Sequence, residues 1–532
     1  MSAADDPVVE LPTYTVSETM VLPPPESWRY AEVPGYEILS SLSERETRRF
    51  VRDFQLLQQA IAVVWPALFS GREAPPSMII LSRREAEFHS FVPTALRGDA
   101  GFSTSVFVQD EERSGIVVDF VRTRPGDGTV AAGGSDDEFV PGGELVEVTD
   151  PYREFYFQYF RTMIRRSAPN APRWLEEGLV RVLGSVDFSK RMVEIGRIDP
   201  TDEYDFTAVL KSNAVPPFAS LFTVDRDTRA LPRNYQTLCH AFVHLCLYGE
   251  GRKFQEPFRR LVDAALRGPI DEATFRKIFG MDYRRMEYVI RSYSQFTYYQ
   301  HPQFRAKRGT AGFAEPPPFE LRDATQAEVG RIKGEIYRLA GHADRAYLAL
   351  IAPYVRGERD ARLLASLGLN ERSRGEHARA RKFLEAAALA GVERPRAWLE
   401  LARLRLEEAR AQPASGDGRL GIDQVDAIVA ALMRARAQRP PLPDVYEELA
   451  GVWARSARPP DAEALAVIYE GAITFPGRQR LLYLAASLAT EYGRLQDARP
   501  LVDHGLNHAR PDVRPHFVAL DERLRARSLR TP

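Results

Sequence analysis

The sequence predicts an α+β domain followed by an all-α solenoid of paired helices. Three observations carry this expectation. Strand-like apolar runs accompany one long amphipathic helix near the start, the pattern turns helical from Pro151, and small-residue motifs return at a spacing of 34 beyond residue 322. At 532 residues, with 44% hydrophobic and 27% charged side chains, the composition is that of a folded protein with more than one domain.

Residues 1–30 read as an extended tail rich in Pro and Thr that ends in Pro23-Pro24-Pro25-Glu26-Ser27-Trp28. A helix is expected over about Glu44 to Val64, where Phe50, Phe54, Leu57, Ala60, Ile61 and Val64 recur at three and four. Strands are expected at Met78–Leu81, Ser105–Val108 and Gly115–Val121. The Gly-rich acidic stretch from Arg124 to Glu144 reads as a surface loop, and Asp136, Asp137 and Glu138 there match no calcium-loop spacing. Helical patterns follow at about 151–167, 172–184, 234–248, 254–267 and 284–298. Gly309, Gly312 and Pro316-Pro317-Pro318 mark 303–322 as a linker, which bounds a front domain at 31–302 and an array at 323–532.

Within the array, Gly341-x3-Arg345-Ala346 returns as Gly375-x3-Arg379-Ala380, 34 residues on. Gly493-x3-Asp497-Ala498 repeats the pattern, and Glu463-Ala464 precedes it by another 34. Asp426-Ala427 falls out of phase, which the flexible Pro413–Gly418 stretch explains as an insertion. Small Ala suits close helix approach and Gly the turn before it. A 34-residue period of this kind resembles tetratricopeptide repeats, with four to five degenerate copies from about 323 to 528.

The front domain carries a second resemblance. Asn170-Ala171-Pro172-Arg173-Trp174-Leu175-Glu176-Glu177-Gly178-Leu179 resembles the P-x-W-L-x-E-G stretch of gluzincin (thermolysin-type, peptidase MA) metallopeptidases. The likeness covers about residues 35–300 and implies a zincin-like α+β domain in which Glu177 stands at the third zinc-ligand position. It also implies an upstream H-E-x-x-H helix, whose aligned window here reads Phe157-Gln158-Tyr159-Phe160-Arg161. Phe157 offers no lone pair, Gln158 cannot act as a base, and Arg161 is a permanent cation. The expectation is a former zinc site with no catalytic residue and no cofactor, where Arg161 or Arg173 pairs with Glu177.

The alternative is a zinc peptidase with a rearranged site. His240-Ala241-Phe242-Val243-His244 places two imidazoles at i and i+4, the spacing of a metal pair, and Glu177 would complete the set. Ala241 occupies the base position, leaving Glu154 and Glu176 as the nearest candidates by sequence. Two His on a buried helix also read as core residues with satisfied hydrogen bonds. Asp202, Glu203 and Asp205, and the scattered His301, His342 and His377, form no recognisable cluster.

Charge and composition exclude other classes. The formal net charge is −1, and no basic stripe is interleaved with aromatics, so nucleic acid is not an expected partner. From Arg322 onward 34 Lys/Arg oppose 28 Asp/Glu, nearly all the cations being Arg. No apolar run is long enough for a membrane span. Cys239 and Cys246 lie seven apart on one helix, roughly 10 Å along its axis, too far for a disulfide. Residues 1–30 show neither the basic n-region nor the apolar h-region of a signal peptide; an extracytoplasmic or periplasmic location is the expectation if a leader has been removed. The function expected is a non-catalytic interaction scaffold whose helical repeats bind a protein or peptide partner.

Overall fold

The computed structural model describes residues 9–14, 22–64, 76–93, 104–120, 151–168, 171–189, 191–198, 210, 215–225, 228, 231–266, 268–295, 299–305, 315–412 and 418–529. The acidic 124–144 stretch, Asp202, Glu203 and Asp205, and all but the last residue of 413–418 lie outside them.

The chain enters a six-stranded sheet earlier than the sequence reading placed it. β1 (Arg29–Val33) and β2 (Tyr36–Ser40) form an antiparallel hairpin, with Val33 opposite Tyr36. Pro34-Gly35 makes the turn; Gly35 has φ +80°, a conformation that disfavours any residue with a Cβ. α1 (Glu44–Val64) crosses over to β3 (Ser77–Ser82), which pairs parallel to β2. α2 (Glu85–Phe91) follows, then β4 (Ser105–Gln109) and β5 (Ser114–Asp119), the latter parallel to β3. The spatial order is β4-β5-β3-β2-β1-β9, where β9 is Leu321–Asp323.

Alternation along the strands divides the sheet's side chains between two cores. Ile38, Ile79, Leu81, Ile116 and Val118 pack against Phe50, Phe54 and Leu57 of α1 and against Phe155 and Tyr159 of α3 (Pro151–Ser167). α3 packs on α4 (Arg173–Gly184), and α4 on α5 (Tyr235–Tyr248). α6 (Gln255–Ala265), α7 (Glu272–Phe279) and α8 (Tyr283–Tyr293) extend this core. A small sheet joins β6 (Asp187–Ser189), β7 (Met192–Glu194) and β8 (Gln303–Arg305).

Leu39, Met78, Ile80 and Val117 point the other way and meet Val329, Ile332 and Ile336 of α9 (Gln326–Leu339), the first helix of the array. The close approach is built into Gly115, where a Cβ would lie 2.0 Å from Ile336 Cδ1. The stretch expected to be a linker therefore contains strands of both sheets at its ends, and residues 306–314 lie outside the described part.

Paired helices follow: α9 with α10 (Ala343–Val355), α11 (Ala361–Ser373) with α12 (His377–Leu389), and α13 (Pro395–Ala411) with α14 (Ile422–Arg436). α15 (Pro443–Trp453) pairs with α16 (Ala462–Thr474), α17 (Gln479–Glu491) with α18 (Leu495–His508), and α19 (Arg514–Ser528) packs on α17 and α18. The first helix of each pair also touches the first helix of the next, so the pairs stack in one direction. Gly341, Gly375 and Gly493 each turn between the helices of a pair with φ +83°, +80° and +77°. Ala346, Ala380 and Ala498 are buried where those helices meet, whereas Ala427 is exposed and Ala431 takes the packing position in its helix. The Asp426-Ala427 match is thus a coincidence of sequence.

Candidate functional site

Of the residues expected at a former zinc site, Gln158 and Arg161 of α3 meet Glu177 of α4. Arg161 stands one turn after Gln158 on α3 and reaches across to α4. Its Nη2 donates to Glu177 Oε2 at 2.8 Å, and its Nε lies 3.2 Å from Glu176 Oε1. Arg173, one turn before Glu177, places Nη2 2.9 Å from the other oxygen, Oε1. Arg165 binds Glu176 with Nε at 3.0 Å from both oxygens and Nη2 at 2.8 Å from Oε1. Glu176 and Glu177 are both buried, so these are desolvated, charge-assisted contacts rather than surface pairs.

Side-chain amides extend the cluster. Gln236 on α5 donates Nε2 to Glu177 Oε2 at 3.0 Å and accepts from Arg181 Nη2 at 2.7 Å. Gln158 accepts from Arg161 Nη1 at 3.0 Å and donates to Ser105 Oγ at 3.0 Å, whose hydroxyl donates to Glu154 at 3.1 Å. Gln158 therefore serves as a neutral bridge between Arg161 and Ser105. Burial alone would raise the Glu177 carboxyl; Arg161, Arg173 and Arg181 outweigh it and hold the group below the ordinary carboxylate value. Glu177 stays an anion neutralised by guanidinium groups.

Phe157 and Tyr159 are both buried in the core beneath the site. The Phe157 ring fills the space over Gly184, where a Cβ would lie 2.0 Å from its Cδ1, and the Arg181 guanidinium sits 5.5 Å from its centroid. Phe157, which the motif resemblance aligns with a ligand His, contributes only aromatic carbon here.

His240, His244 and Glu177 are not assembled into a ligand set. His244 Nε2 lies 2.7 Å from the Gly196 carbonyl, which can only accept, so Nε2 carries the proton. Nδ1 then accepts from the Tyr293 hydroxyl at 2.9 Å, and neither nitrogen has a lone pair left for a metal. Burial pushes His244 down to about 4, against the Gly196 bond, and pushes His240 well down too, with help from its neighbour His244. Both belong to the core, as Cys239 and Cys246 do; these are free thiols buried on the same helix. Among the described residues no group of three or more His, Cys, Asp or Glu is placed to hold a metal ion. Zinc does not fit the aligned position, where Arg161 supplies the positive charge.

Glu154 and Glu176, the candidate bases, are engaged by Ser105 and Arg165 as described. His301 lies 3.7 Å from Glu194, His342 Nε2 donates to Val92 O, and His377 pairs with Glu407, three separate places in the fold. Sequence reasoning missed Arg165, Gln236 and Ser105. Arg165 had a signal, the i, i+4 spacing from Arg161 on one helix face; Gln236 and Ser105 come from distant elements and had none.

No protein-family model matches the chain, and no curated protein does. Among solved structures, a MamA protein is 18% identical over 34% of this chain and 91% of its own, with a TM-score of 0.26. A thermophilic TPR protein of Thermus thermophilus is 16% identical over 37% of this chain and 98% of its own, at 0.25. The peptidase resemblance of the front domain thus rests on its motif residues alone.

Proposed function

We propose that the chain is a non-catalytic interaction scaffold in which the stacked helix pairs present a protein- or peptide-binding surface. The observation that carries this reading is the unidirectional stack from α9 to α19, an architecture with a large surface for its volume. In the same reading the front domain, 31–302, descends from a gluzincin-like peptidase. Its Phe157, Gln158, Arg161 and Glu177 are a degenerate zinc site where a guanidinium replaces the metal cation. The Arg–Glu cluster then acts as an internal brace joining α3 to α4, and substrate hydrolysis is not its work.

Affinity capture of the intact chain followed by cross-linking mass spectrometry tests the proposal, with metal content measured on the same preparation. The expected result is cross-links from captured proteins concentrated in 323–529 and less than about a tenth of an equivalent of zinc. Near-stoichiometric zinc, lost on changing His240 and His244 to Ala, would overturn it. Cross-links confined to the front domain would move the binding role there.

A further inference from the structure

The tail is not adrift from the array. Residues 9–14 lie against α10, α11 and α12, far along the chain, and make contacts of the kind a bound peptide makes. The Tyr14 ring stacks on Phe383 at 6.2 Å and meets Tyr354 edge-on at 5.8 Å, while the Arg379 guanidinium sits 5.5 Å from its centroid. The Tyr14 hydroxyl donates to Glu371 Oε1 at 2.9 Å. Two residues earlier, the buried Tyr354 hydroxyl donates to the Pro12 carbonyl at 2.7 Å, and Leu11 packs on the same cluster. Lys382 Nζ lies 4.0 Å from Glu10, a weak exposed contact.

These contacts define a recognition code. A Pro pre-sets the extended backbone and leaves its carbonyl to accept from Tyr354. An aromatic ring two residues later fills a place walled by Phe383, Tyr354 and Arg379, and a hydroxyl at its tip satisfies Glu371 Oε1. Glu371 is itself buried and paired with Arg379 Nε at 2.9 Å. Burial, with Glu371 beside it, pushes the Tyr14 hydroxyl far above its ordinary value, so it remains a donor at every working pH.

We propose that this face of α10–α12 is a peptide-recognition site for an extended Leu-Pro-Xaa-Tyr segment, occupied in cis by residues 11–14, and that a partner carrying such a segment binds by displacing the tail. The inference rests on the scaffold reading and names the chemistry of its partner. The tail is also anchored at Leu22–Glu26, where Arg356 donates to Pro23 O and Lys333 binds Glu26 at 2.8 Å. Seven residues separate Tyr14 from Leu22, so the tethered segment competes at a roughly millimolar effective concentration. A free peptide of tens of micromolar intrinsic affinity is thereby weakened about tenfold to a hundredfold.

The test uses the full-length chain and a fluorescein-labelled peptide of residues 9–14, followed by polarisation. The tail variant L11D/Y14S, which leaves every array residue intact, is expected to bind the peptide at least tenfold tighter than the unaltered chain. A peptide with Tyr replaced by Ala is expected not to bind, and one with Tyr replaced by Phe to bind several-fold more weakly. Equal binding by the two chains overturns cis occupancy. Absence of binding to the tail variant, with its circular dichroism melt unchanged, overturns the site. If partners cross-link to 323–529 but the peptide does not bind, this inference alone fails. Peptide uptake by a chain that captures no partner leaves the site standing and removes the scaffold reading.

Discussion

Replacing Arg331 with Met should loosen the sheet more than any surface change, because it strands a buried anion. Arg331 on α9 holds Glu37 of β2 with Nη1–Oε2 at 2.9 Å and Nη2–Oε1 at 2.5 Å, both side chains being 1% exposed. Burial raises the Glu37 carboxyl, but Arg331 first, then Arg113 and Arg362, bring it down to about 2. Removing one partner of such a pair costs ~3–5 kcal/mol. Arg362 Nη1 and the Tyr30 hydroxyl, both 3.0 Å from Glu37 Oε1, remain, so the lower end of that range applies. About 3 kcal/mol is roughly a hundredfold in an opening equilibrium. Hydrogen exchange read by mass spectrometry should therefore show about a hundredfold loss of protection in peptides spanning β1 to β3 at pH 7. The loss should shrink at pH 4, because Glu37 without Arg331 can protonate and relieve its own burial. The double variant E37L/R331M should cost less than R331M, since Glu32 lies 3.1 Å from the Tyr30 hydroxyl and 3.9 Å from Arg362 and can take both. A single variant that changes protection less than about fivefold, or a double variant worse than the single, would refute the reasoning.

Two further outcomes follow from the site. Gly178→Ala places a Cβ 2.7 Å from the Cys239 carbonyl oxygen and 2.4 Å from Val243 Cγ2, so α4 and α5 must part. Overpacking of ~1–3 kcal/mol opposes a helix-propensity gain of ~1 kcal/mol; urea titration should show net destabilisation, and a stabilised variant would contradict the packing account. His244 is neutral in the fold, near 4 against an ordinary 6.5, so its contribution is whole above pH 6.5 and is lost as pH falls through 4. Between pH 7 and pH 4 the native chain should lose about 2–3 kcal/mol more unfolding free energy than H244Q, and parallel acid limbs would count against it.

The repeats were legible because their constraints are local. Gly341 and Gly375 turn the same corner, and the packing behind them recurs at the same interval. Gly334 and Gly368 leave room for Leu350 and Leu384, each of which would lie 2.6 Å from an added Cβ, and these pairs are also 34 apart. That second register was available in the sequence and went unread. The longer helices of the front domain were legible from apolar spacing, the last of them ending five residues before the expected 298, whereas the short α2 and α7 were not anticipated. The β1–β2 hairpin was missed although Pro34-Gly35 signals a turn, because Tyr36–Ser40 is buried on both faces and shows no alternation. At the site, the sequence pointed to the Arg161–Glu177 contact through the motif resemblance, since a buried carboxylate without a metal needs a cation. The amide bridges and the docked tail depend on residues brought from far along the chain, and no local pattern encodes them.

The contact between Gly115 and Ile336 bears on where the protein can be divided. A free-standing solenoid ends in repeats with a polar outer face, which keep the terminal helices in solution. Here α9 has no such face toward the front domain: Val329, Ile332 and Ile336 are covered by Leu39, Met78, Ile80 and Val117. The six-stranded sheet is the N-terminal cap of the array, and the array in turn is the roof of the sheet. Severing the chain near residue 323 would leave each fragment with an unshielded apolar surface, so neither half is expected to stay folded and dispersed without the other.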